Sequence, residues 1–136
     1  MKTRTSPSSL TIYGAKKVFS HIDLAFKNLK INDEVASPET FNAYELLVDA
    51  NFLQTFLSLN SSPKVLGVSE EMVVKFCINH LDDLKDVGRK TFFYLGDGIV
   101  AKVNCHADGL HINRYDLHSP IIWWGKNKRF FVVPGV

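Results

Sequence analysis

The run NCHADGLHINRYDLH, residues 104–118, gathers His106, His111 and His118, three of the chain's five histidines, around an Asp-Gly pair. Imidazoles titrate near neutral pH, ligate metals and hydrogen-bond anions, so such a cluster points to proton transfer, a metal centre or a polar binding surface. A metal would take His106 and His111 as a cross-strand pair, with His118 or Asp108 as third ligand. The spacing fits no zinc signature and Cys105 faces away, so neither metal nor cofactor is expected. RNA cleavage without a metal needs a base, an acid and a cation near the phosphate. His106, His111, Lys102 and Tyr115 form such a set.

Two hairpins must position these groups. Asp-Gly favours a two-residue turn, which sets strand register. Around Asp108-Gly109 it pairs Ala107 with Leu110, His106 with His111, Cys105 with Ile112 and Asn104 with Asn113. Lys102, Asn104, His106, His111, Asn113 and Tyr115 then share one face, and Ala101, Val103, Cys105, Ala107, Leu110 and Ile112 the other. The same rule at Asp97-Gly98 adds Phe92, Tyr94 and Ile99 to the apolar face, and Phe93, Leu95 and Val100 to the polar one. The polar face is a candidate binding surface through Phe93, Asn104 and Asn113; a simple solvated face is the alternative. Arg114 falls on the apolar face and calls for a carboxylate, such as Asp116, or a place at the sheet margin.

The period-two pattern continues in Ile121–Trp124 and Arg129–Val133, so with Thr91–Leu95, Ile99–His106 and Leu110–Tyr115 the second part reads as a five-stranded antiparallel meander. The first part reads as three helices. Val18, Ile22, Ala25, Phe26 and Leu29 mark one over residues 13–30. Ser37-Pro38-Glu39 caps a second, reaching Leu59 through Phe41, Tyr44, Leu47, Val48, Phe52 and Phe56. Ser69-Glu70-Glu71 opens a third, which Gly88 ends; His80 on its apolar side is expected to be a hydrogen-bonded residue of the core or its rim.

The expected fold is therefore α+β: three N-terminal helices packed on a four- to five-stranded antiparallel β-meander. It forms a single domain over residues 1–136, with residues 1–12 a flexible segment. With 46% hydrophobic residues the chain can build one core. The net charge of +2 indicates neither a nucleic acid nor a membrane. Residues 91–136 hold five Lys or Arg, three Asp and no Glu. Two distant cysteines suit a reducing compartment, and with no apolar leader or span the protein is expected in the cytoplasm, with no membrane partner.

The run GDGIVAKVNCH, residues 96–106, resembles the turn and strand that follow the third helix in cone-shaped NTF2-like domains. That resemblance implies a pocket between sheet and helices, lined by the apolar face and Tyr94. Helices followed by a meander also resemble small microbial ribonucleases in architecture. Trp123 and Trp124 add a third surface, because whichever tryptophan points outward would anchor a partner. An exposed final strand would favour a homodimer. The leading expectation is a small binding or accessory protein that takes a ligand or protein partner through its sheet and self-associates. The alternative is a metal-independent endoribonuclease, with RNA as partner.

Overall fold

The computed structural model describes residues 19–26 and 41–135. Six strands form one sheet: β1 (Phe19–Ile22), β2 (Phe41–Glu45), β3 (Lys90–Gly96), β4 (Ile99–His106), β5 (Gly109–Asp116) and β6 (Arg129–Pro134). Their order is β1-β5-β4-β3-β6-β2. Three helices accompany them: α1 (Phe52–Leu59), α2 (Glu70–Asn79) and α3 (Leu81–Leu84).

The caps show why the helices start where they do. Asn51 Oδ1 accepts from the Gln54 N–H at 2.8 Å while its own N–H donates to Gln54 Oε1 at 2.9 Å, a reciprocal box that satisfies two free donors of α1. Ser69 Oγ accepts from the Met72 N–H at 3.1 Å, and Glu70 and Glu71 occupy the positive end of α2.

The expected antiparallel meander under three N-terminal helices is not what forms. The sheet is mixed, because β6 runs parallel to β3 and β1 parallel to β5. Phe19–Ile22, expected to be helical, is the edge strand β1; residues 13–18 and 27–30 of that expected helix lie outside the described residues, as do Ser37-Pro38-Glu39 and residues 1–12. Phe41–Glu45 is β2 because β6 offers its backbone a ladder, and the helix begins only at Phe52. Ile121–Trp124 contributes one bridge, Trp123 to Ala50, rather than a strand. With β3 on one side and β2 on the other, β6 is not a free edge, which closes the expected route to a dimer through it.

Two cores result, one on each face. Phe93, Ala101, Val103, Leu110, Ile112 and Val132 pack against Val73, Val74, Phe76, Cys77 and Leu84 of α2 and α3. Phe92, Tyr94, Val100, Phe131 and Val133 pack against Phe52 and Phe56 of α1. A β-bulge decides this division. Tyr94 pairs with Val100 but Gly96 with Ile99, so Leu95 is an extra residue. One residue reverses the faces: Phe92 and Tyr94 lie with Lys102 and Val100, while Phe93 lies with Ala101. The second hairpin also departs from expectation, since Asn104 pairs with His111 and His106 with Gly109. Here the slip is two residues, so the Lys102, Asn104, His106, His111, Asn113 and Tyr115 face survives. Gly109 lies beside β1, where an added Cβ would come within 3.1 Å of Ser20 Oγ.

Candidate binding face

Registers across five strands place Arg129, Lys90, Asn104, His111 and His21 in one row. Neighbouring strands lie about 4.8 Å apart, so the row runs about 19 Å across the sheet. Lys102 and His106 flank Asn104 on β4, two residues to either side. The apolar half of the same face is covered by α1; the polar half is not covered by any described helix. Trp123 stands at the boundary, with its ring 4.9 Å from Phe92, 5.6 Å from Phe52 and 5.7 Å from Tyr115 between centroids.

The histidines form a column. His106 and His111 stack with centroids 3.8 Å apart and planes 16° apart, and His21 follows at 5.0 Å from His111. Asn104 Nδ2 donates to His106 Nε2 at 2.9 Å, which requires that nitrogen to be unprotonated. His111 Nε2 donates to Asp108 Oδ1 at 2.7 Å. Partial desolvation, then the neighbouring His111, holds the His106 pKa below the ordinary imidazole value. The hydrogen bond from His111 holds Asp108 below the ordinary carboxylate range.

The cations are crowded. Burial, then Arg129, lowers the pKa of Lys102; burial, then Arg129 and Lys102, lowers that of Lys90. The Lys102 ammonium lies 5.5 Å from the centre of the Tyr115 ring, and burial raises the Tyr115 pKa. Among the described residues neither lysine has a carboxylate within ion-pair distance. Arg129 donates from Nη1 to the Gly88 and Asn127 carbonyls, and its guanidinium lies 5.8 Å from the Trp123 ring centre. Three buried side-chain atoms among the described residues lack a hydrogen-bond partner: Asn104 Oδ1, Trp123 Nε1 and Arg129 Nε. All three belong to this face or its border, where unmet polar groups mark a place for water or a ligand.

The structure thus brings together Lys102, Asn104, His106, His111, Asn113 and Tyr115, as their alternation implies. Phe93 is instead fully buried on the opposite face, in ring contact with Phe76, and is removed from the binding set. Trp123 points inward and Trp124 outward, 67% exposed. His118 is exposed and turned to Asp116, 3.7 Å away. His80 stacks on Phe76 at 4.3 Å at the end of α2. Arg114 is exposed, and its N–H donates to Asp23 Oδ2. No group of three or more His, Cys, Asp or Glu converges on a metal position among the described residues. No described helix is long and apolar enough to cross a membrane. Lys90 and Arg129 join the site unannounced, since the bulged β3–β4 register sets Lys90 beside Asn104 and the parallel β3–β6 pairing adds Arg129; a charge opening each of two apolar strands is the one signal they carry.

No protein-family model, curated protein or solved structure matches the chain.

Proposed function

We propose that the protein is a small binding protein that recognises an anionic ligand through the polar half of its sheet, which no described helix covers, and that it self-associates. The observation that carries the first part is the set of partly desolvated Lys90 and Lys102, with no carboxylate partner among the described residues, beside Arg129 and on one face with His106 and His111. Holding like charges together costs stability, and an anion offsets that cost. Titration calorimetry with tripolyphosphate tests it. The wild type binds and Lys90→Glu/Lys102→Glu does not; a wild type giving no binding heat refutes the reading.

Support for self-association comes from a second surface. Leu47 and Val48 on one loop, and Ile121, Ile122 and Trp124 on another, are exposed. The loops are tied by Ala50–Trp123 backbone hydrogen bonds in both directions and by the Gly125 N–H to Asp49 Oδ1 at 2.8 Å. Apolar side chains on a held framework suit a protein contact. Sedimentation equilibrium is expected to give twice the monomer mass.

Metal-independent RNA cleavage is the second reading. What favours it is the His111–Asp108 pair, which leaves His111 Nδ1 as a base. In-line transfer puts the attacking and leaving oxygens on opposite sides of phosphorus, whereas His106 and His111 are stacked together, so binding ranks first. Cleavage of single-stranded RNA without metal, lost in His111→Ala, would reverse that ranking.

A further inference from the structure

We infer that the anionic ligand is a single-stranded nucleic acid, its phosphates following the Arg129–Lys90–Lys102 end of the row and a base stacking on His106. The inference rests on the face binding anions at all, and goes on to name which.

Three features select this class. The first is extent. Arg129, Lys90 and Lys102 lie on three adjacent strands, and the row continues from them through Asn104 to His111 and His21, so the face offers an extended line of polar groups rather than a single point. The cavities of about 290 and 470 Å³ formed by other described residues do not include the row. The second is the column of imidazoles. His106 ends it: it is exposed, and among the described residues no ring covers the face it turns away from His111. Asn104 and Asp108 hold the two rings by their edges, so the platform is ordered before a ligand arrives. A flat, pre-set ring beside cations is what an unstacked base requires, and histidine serves in that role. The third is the pair of amides. Asn104, whose Oδ1 lacks a partner, and Asn113, half-buried one row away, offer the donors and acceptors that base edges use.

Charge explains why composition hides this. A net +2 over the whole chain does not by itself mark a nucleic-acid binder. On this face, however, Lys90, Lys102 and Arg129 gather beside three histidines, and among the described residues Asp108 is the carboxylate set against them. A duplex fits less well, because its bases are paired and unavailable to His106.

The test is fluorescence anisotropy with a labelled single strand of about 12 nucleotides, within the range of single-strand site sizes. Alongside it run an abasic strand of the same length, a duplex, and inorganic polyphosphate as competitor. Neutralising about three phosphates predicts that raising salt from about 50 to about 200 mM weakens the single strand about 20-fold. The abasic strand and the duplex are expected to bind about fivefold more weakly or worse, the loss of one stacked base. His106→Ala should remove that preference while leaving the salt dependence intact. Lys102→Ala should reduce the salt dependence and leave the preference intact. Equal affinity for the strand, the abasic strand and polyphosphate overturns the nucleic-acid inference and leaves the anion reading standing. Binding of none of them overturns both. Circular dichroism of each variant separates lost binding from lost fold; should His106→Ala unfold, His106→Leu, which keeps bulk but not the aromatic plane, replaces it.

Discussion

His106 and His111 lie face to face, 3.8 Å between ring centroids, each held at its edge by a different neighbour. Because Asn104 donates to His106 Nε2, protonation of that nitrogen breaks the bond. The folded His106 pKa is lowered, so below about pH 6.5 the unfolded chain takes up the proton first. Stability is therefore full above that value and falls as pH drops toward the folded pKa. Asp108, also lowered, contributes stability above the ordinary carboxylate range that is lost as pH falls through its own folded value. Urea midpoints should decline from about pH 7.5 to about pH 5.5, and His106→Gln should flatten that part of the curve.

An anion on the face reverses the sign for His106. Its negative charge favours the imidazolium, so binding takes up protons and affinity rises as pH falls from about 7.5 to about 5.5. Calorimetry in two buffers of different ionisation heat should show this uptake; heats independent of buffer would show that the ligand does not reach His106.

Lys102→Met should trade function for stability. The variant keeps the stem on the sheet and removes a charge that is partly desolvated and repelled by Arg129. After solvent screening of this half-exposed charge, an increase of about 0.5 kcal/mol in unfolding free energy is expected together with weakened tripolyphosphate binding.

Phe93→Ala should act on the fold. The side chain is fully buried between Phe76 and the sheet, so a loss of about 3–5 kcal/mol is expected. A stable variant with weakened binding would contradict its placement.

The two exposed loops separate cleanly. A Cβ on Gly125 would lie 2.5 Å from the Leu47 carbonyl carbon and the Val48 nitrogen, so Gly125→Ala should cost about 1–3 kcal/mol as the backbones part. Trp124→Ser should change stability by less than about 0.5 kcal/mol and shift the sedimentation mass to the monomer.

Much of the polar face was legible because alternation survives a two-residue slip: the Asp108 hairpin turns one residue early on each side, and every side chain keeps its face. The first hairpin was misread, since Leu95 adds a single residue and the one mark of the bulge is Gly96, whose φ of 82° lies in the left-handed region. The apolar spacing of Phe41, Tyr44, Leu47 and Val48 suits a helix, yet β6 supplies a ladder that local pattern cannot foresee. Trp123 and Trp124 read as strand because both are apolar; one fills the core of α1 and the other faces solvent.

The place of β6 also governs the order of assembly. Among the described residues β2 pairs with β6 alone, and β6 is the last described element, with all three helices and β3, β4 and β5 between the two. During synthesis the segment that becomes β2 emerges early and must wait, its backbone groups unpaired, while β3, β4 and β5 can already form hairpins by local closure. Its Phe41 and Tyr44 are exposed to wrong partners throughout that interval, so newly made chains should be most vulnerable to aggregation just before β6 arrives.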